Sequence, residues 1–224
     1  DSRFDGDSNW TDVGRPVGVT QTYGFAIHRG ELYASSWPTG EVFRYGGAAD
    51  WHSTGLLGSE KESMGMAVYN GKLYAGTLPL AEVYRYDGDD RWTRTGQLDT
   101  TPDVRYRRAW SMAVYRGKLF CGTCPSGRVY SIEAGKSVTD DHELPAGWHH
   151  LAAVKRDGRI ILYRDGKPVA TSSHFDPMKF DVSNDRVLTI GFGAHDHFNG
   201  SLRDLRIYRG ALSDREVAKL SQSN

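Results

Sequence analysis

The feature that most constrains this chain is a unit that recurs at fixed spacing. GFAIHRGELYASSWPTGEVFRYGGAADWHSTG, from Gly24 to Gly55, is followed in the same register by GMAVYNGKLYAGTLPLAEVYRYDGDDRWTRTG, from Gly65 to Gly96. Leu32 and Leu73, Pro38 and Pro79, Arg44 and Arg85, and Trp51 and Trp92 are each 41 positions apart, so no insertion separates the two copies. A third copy, SMAVYRGKLFCGTCPSGRVYSI from Ser111 to Ile132, follows at a spacing of 46. The opening RFDGDSNWTDVG sets Arg3, Trp10 and Gly14 one period before Arg44, Trp51 and Gly55, as the tail of a fourth copy. A chain of this kind must stack one supersecondary unit against its own repeats, because a single unit cannot bury its apolar face alone.

Within each unit three alternating runs, typified by Met66 to Tyr69, Lys72 to Thr77 and Glu82 to Tyr86, precede a fourth short run around Trp92. Asn70-Gly71 predicts a two-residue hairpin turn, since both central positions of a type I′ turn need positive φ, and Arg29-Gly30 and Arg116-Gly117 stand in its place elsewhere. Pro38, Pro79 and Pro125 follow the second run, past a strand end where no ladder hydrogen bond is lost. Four antiparallel strands every 40 to 45 residues is the size of one propeller blade. In period and pattern these units resemble the blades of kelch-like and tectonin-like propellers, over Arg3 to Ile132.

From Gly147 the period is lost. GWHHLAAVKRDGRIILYRDGKPVATS carries two Asp-Gly turns, at Asp157-Gly158 and Asp165-Gly166, which join three strands into a meander. RVLTIGFG follows from Arg186 to Gly193, and then HFNGSLRDLRIYRGALSDREVAKL to Leu220. The ordered blocks W-H-H-L-A, L-Y-R-D-G, I-G, F-N-G-S-L-R-D-L-R-I-Y and A-L-S resemble the back half of a laminin-G-like, concanavalin A-like jelly roll. Ser213 and Glu216 form a capping box opening a short helix with Val217 and Leu220 on its buried side. The expected architecture is therefore all-β: propeller-like four-stranded repeats over residues 1–135, then a partial jelly roll and one short C-terminal helix over 136–224.

Equal numbers of basic and acidic residues, 28 each, remove the electrostatic case for a nucleic-acid or membrane-surface partner. No apolar run approaches the roughly 20 residues of a membrane-spanning helix. The chain shows no secretory signal and begins with Asp1 rather than Met, which predicts a processed chain or a piece of a longer one. Cys121 and Cys124 form a C-x-x-C inside a strand, where three residues span about 10 Å against the roughly 7 Å Cα limit for a disulfide, so free thiols are expected.

Two segments are candidates for binding. Five extra residues between Gly96 and Ser111 give QLDTTPDVRYRRAW, in which Arg105, Arg107 and Arg108 lie beside Tyr106 and Trp110. Insertions in repeat proteins tend to fall on the binding face, arginine forks take carboxylate or sulfate bidentately, and aromatic rings stack on sugars. An anionic glycan is the ligand this chemistry fits, and Trp37 joins the set as a further aromatic candidate. The second segment is His195, Asp196 and His197, followed by Asn199, expected in a loop between two strands. His-x-His around a carboxylate suits a divalent metal or sugar hydroxyls, and the laminin-G resemblance implies calcium or glycan at such a loop, with Asp196 as the metal ligand. His149 and His150 are assigned to structure, as adjacent residues facing opposite ways.

These readings predict a non-catalytic extracellular or cell-surface module that binds a glycan. The alternatives are an accessory fragment of a polysaccharide-degrading enzyme and a structural protein that self-assembles. The Trp10 segment is expected to pair with the sheet containing Val129, in the same chain or, by strand exchange, in a homo-oligomer.

Overall fold

The computed structural model describes residues 10–181, 183–185 and 187–222. Arg3 and the front of the opening repeat tail, to Asn9, fall outside them, as does Arg186. The described chain is all-β apart from one short helix. Four antiparallel sheets follow one another: β1 (Gln21–His28) to β4 (Asp50–Leu56) through β2 (Glu31–Trp37) and β3 (Glu41–Gly47); β5 (Glu62–Tyr69), β6 (Lys72–Leu78), β7 (Glu82–Gly88) and β8 (Arg91–Gln97); β9 (Arg108–Tyr115), β10 (Lys118–Cys124) and β11 (Val129–Ile132); and β12 (Leu151–Arg156), β13 (Arg159–Arg164) and β14 (Lys167–Thr171). In each sheet the strands pair in chain order, and among the described residues none of the sheets closes on itself.

Local chemistry sets the meanders. Asn70 and Gly71 have φ of 47° and 77°, and the equivalent pairs Arg29-Gly30 and Arg116-Gly117 are likewise positive, as type I′ hairpins require. Pro38, Pro79 and Pro125 each follow a cis peptide bond at the end of the second strand of their sheet. The register repeats as well: Gln21 faces Trp37, Glu62 faces Leu78, and Arg108 faces Cys124.

The first three sheets stack face to face. Tyr33 and Val42 of the first meet Val68, Leu73, Ala75 and Tyr84 of the second in one buried cluster, which also takes Leu57 from the linker between them. Tyr69, Tyr74 and Val83 of the second meet Ala109, Leu119 and Cys121 of the third in another. At Gly65 the second and third sheets come so close that a Cβ would lie 2.6 Å from the Trp110 carbonyl oxygen. Each linker between sheets also carries a buried acid. Glu60 Oε2 accepts from the Leu80 N–H at 3.1 Å, and Asp99 Oδ2 accepts from the Ser126 N–H at 3.1 Å, so both cap the residue after the cis-proline. Cys121 and Cys124 are free thiols, as expected, and burial pushes the Cys121 thiol up to about 11.

The C-terminal third covers one end of this stack. The Ala194 and His195 carbonyls accept from Arg29 and Gly30, Asn70 Nδ2 donates to the Ala134 carbonyl at 2.6 Å, and the Arg116 N–H donates to Asp141. All three hairpin turns of the stack are thereby engaged. The Asp-Gly meander forms as expected, and α1 (Asp214–Ser221) packs Val217 against Val154 and Tyr163 with the Ser213–Glu216 capping box in place.

The strands expected on either side of His195 do not form. Residues 187–191 and 201–208 are irregular chain, and among the described residues the one bridge beside them is Phe192 with His197. Their apolar side chains, among them Leu188, Leu205 and Ile207, are exposed. A strand needs a ladder partner. Among the described residues the strands of the first three sheets pair within their own meanders and with none of these runs.

Candidate functional site

At the end of the stack opposite the hairpin turns, the first three sheets leave an open cleft of about 480 Å³. It crosses all three. The first sheet supplies Gln21, Tyr23 and Trp37, and the second supplies Glu62 and Leu78 with the adjoining Lys61 and Pro79. Arg108 opens β9, and Arg105 and Tyr106 come from the inserted segment before it. Because Gln21, Glu62 and Arg108 are the first residues of β1, β5 and β9, one repeat position contributes an amide, a carboxylate and a guanidinium to the same wall.

Tyr23 donates its hydroxyl to Glu62 Oε2 at 2.8 Å, joining the first and second sheets across the cleft. Burial, the Glu62 hydrogen bond and the Glu62 charge push the Tyr23 phenol up to about 12, so it stays a donor throughout the neutral range. The Arg105 guanidinium lies 5.0 Å from the Tyr106 ring centroid, and that of Arg108 lies 5.1 Å from the Trp110 ring. Such contacts hold a cation at the surface with its N–H groups free to meet an anion. Lys61, Arg105 and Arg108 against Glu62 leave a net positive charge on the lining.

Of the residues expected in the site, Trp37, Arg105, Tyr106 and Arg108 are brought together here. Trp110 is exposed beside Arg108 but outside the lining. Arg107 turns away: its backbone N–H donates to the Pro79 carbonyl at 2.9 Å, it bridges to Leu80, and its Nε is buried without a partner. Alternation along an extended segment sends neighbouring side chains to opposite faces, so Arg107 points inward where Arg108 points out.

The loop of His195, Asp196, His197 and Asn199 lies at the other end of the stack, remote from the cleft, and docks on the turn after β1. Asp196 Oδ1 accepts from the His197 N–H at 2.7 Å, and the His197 ring packs on Phe192 with centroids 4.6 Å apart. Among the described residues no group of three or more His, Cys, Asp and Glu side chains is gathered that could hold a metal ion, at Asp196 or elsewhere. The loop's own turn takes up the carboxylate.

Gln21, Tyr23, Lys61, Glu62, Leu78 and Pro79 were not singled out by the sequence. Aligning the repeats on their first strands would have pointed to Gln21 and Glu62, which sit one period apart with Arg108 at the matching place in the third copy.

An antiparallel all-β protein with an aromatic, cationic cleft across consecutive sheets is compatible with a carbohydrate-binding module. The family model described as concanavalin A-like lectin/glucanases superfamily matches residues 86–218, more than half of the chain, and the protein belongs to that superfamily. The match begins within β7 and runs through β11 and the C-terminal meander into α1. No curated protein matches the sequence.

Proposed function

We propose that the protein is a non-catalytic glycan-binding module, that the cleft across the first three sheets is its binding site, and that the preferred glycan is anionic. The observation that carries this reading is the convergence of Trp37, Tyr23 and Tyr106 with Lys61, Arg105 and Arg108 around one opening. Rings supply apolar faces for sugar C–H groups, and guanidinium forks match carboxylate or sulfate. Membership of a superfamily of lectins and glucanases supports a carbohydrate ligand. Glu62 is the one carboxylate among the described residues lining the cleft, whereas glycoside hydrolysis uses a pair at set separation, which favours binding over cleavage. The stacked meanders of β1 to β11 support reading residues 1–135 as propeller-like repeats, with a partial jelly roll over 136–224. An extracellular or cell-surface setting accords with the superfamily, and no described helix is long and apolar enough to cross a membrane.

A glycan array followed by titration of its best ligand tests the proposal. Uronic-acid or sulfated glycans should bind and neutral analogues should bind weakly, with affinity falling as salt rises. An Arg105→Ala/Arg108→Ala chain should lose about tenfold or more in affinity while keeping its melting temperature. Equal affinity for charged and neutral glycans, or full affinity in the double variant, would contradict it.

A further inference from the structure

The first strands of the three stacked sheets carry the same irregularity at the same repeat position. Their registers shift between Thr22 and Phe25 in β1, between Ser63 and Met66 in β5, and across Trp110 in β9. An extra residue of this kind re-aims the side chains beyond it. It also divides two chemistries. Before the bulge stand Gln21, Glu62 and Arg108, the polar wall of the cleft. After it stand Phe25, Met66 and Met112, again 41 and 46 positions apart, and two residues further Ile27, Val68 and Val114.

These six apolar residues line a groove of about 490 Å³ that reaches the hairpin turn at Asn70-Gly71, with Ala194 and His195 at that end. The volume lies within the roughly 300–1,000 Å³ of small-molecule sites. Among the described residues lining it there is no Asp, Glu, Lys or Arg. Phe25 is 62% and Ile27 46% exposed, so their apolar surface faces the groove instead of being packed between sheets.

Groove and cleft are built on the same three strands. Tyr23 lines the cleft and Phe25 the groove, two residues along β1, a step of about 7 Å. On β9 the exposed Trp110 stands between Arg108 of the cleft and Met112 of the groove. The two ends differ in charge, with Lys61, Arg105 and Arg108 at one and no ionised carboxylate, ammonium or guanidinium at the other. A ligand that fills both must therefore be anionic at one end and apolar at the other. Met66 and Met112 are unbranched and polarizable, and such side chains adapt to a flexible chain better than to one fixed shape.

Building on the glycan-binding reading of the cleft, we propose that the ligand is amphiphilic: an anionic sugar head sits in the cleft and carries an alkyl chain that lies in the groove between β1, β5 and β9. The chain leaves the head between Tyr23 and Trp110 and runs over Phe25 and the two methionines toward the hairpin turns.

Calorimetric titration of the full chain with octyl glucuronide and with methyl glucuronide, both below the octyl compound's micelle concentration, tests this. The octyl compound should bind about tenfold tighter or more, since each methylene that leaves water for an apolar surface is worth up to about fourfold in affinity. A Phe25→Thr/Ile27→Thr chain keeps β-branched residues at exposed strand positions, so its melting temperature should hold. Its octyl preference should fall to within about twofold while its methyl glucuronide affinity stays that of the wild type, and Ile27→Thr alone should lose part of the preference. Equal wild-type affinity for the two glucuronides would overturn the proposal and leave the glycan reading standing, and so would an octyl preference that persists in the double variant. A wild type that binds neither would overturn it as well, and the glycan reading falls with it where the array also yields no anionic ligand.

Discussion

Leu73 and Ile207 lie in similar alternating apolar runs, yet Leu73 is sealed between two sheets and Ile207 is 73% exposed. The difference lies in what each run has to pair with. In the repeats every strand finds its ladder partner across a turn of two to four residues, and its sheet finds a matching face one period away. In the C-terminal third only the Asp-Gly meander is built from neighbours. Residues 187–191 and 201–208 carry strand-forming side chains whose partners would have to come from distant chain. Alternation specifies which face of a strand is apolar, and a partner within reach decides whether the strand exists.

The contrast should be largest in core truncation. Leu73→Ala is expected to cost about 3 kcal/mol in chemical denaturation, since the rigid sheets on both sides collapse little into the cavity, while Ile207→Ala should fall within about 0.5 kcal/mol. Comparable losses at the two positions would mean that the C-terminal run is packed and the contrast is false.

A smaller effect separates the two buried acids that cap the cis-proline loops. Burial alone would raise the Asp99 carboxyl, but hydrogen bonds from the Thr101 hydroxyl and N–H and from Ser126 outweigh it and hold the group well below the usual carboxylate range. A depressed folded value stabilises above the unfolded value of about 3.9 and loses that contribution as pH falls through the folded one. Asp99→Asn turns an amide donor toward an N–H donor, so it should cost on the order of 1–2 kcal/mol at pH 7 and flatten the acid limb of the stability profile. An unchanged acid limb would remove Asp99 from the account.

The smallest effect should have the opposite sign. Burial raises the Glu60 carboxyl despite the Leu80 N–H, and Oε1 is buried without a partner. A raised folded value gives stability that is full below the unfolded value and declines as pH climbs through the folded one. Glu60→Gln should therefore gain about 1–2 °C in melting temperature at pH 7 and little at pH 4. A loss at both pH values would show that the charged form is the one the site holds.

What was legible in the sequence follows the same division between local and distant partners. Asn70-Gly71, Asp157-Gly158 and the Ser213–Glu216 box act through their own backbone, and each forms as read. Trp37 and Arg108 could be brought toward one site because repeat register places both at the same strand ends. Arg107 could not be separated from its neighbours, since its inward turn depends on the bridge to Leu80, a contact between sheets. The runs around His195 carry strand-like alternation, but nothing within them says that no ladder partner among the described residues lies in reach. Glu60 and Asp99 escaped notice because a capping acid in a linker looks like any solvated turn residue until the next sheet closes over it.

The most direct test of the central claim is amide hydrogen exchange with and without the best ligand from the glycan array. Binding in the cleft predicts slowed exchange at residues 21–23, 61–62 and 105–108, drawn from three sheets at once, with residues 195–199 unchanged. Protection confined to 195–199, with the cleft exchanging as in the free protein, would contradict it.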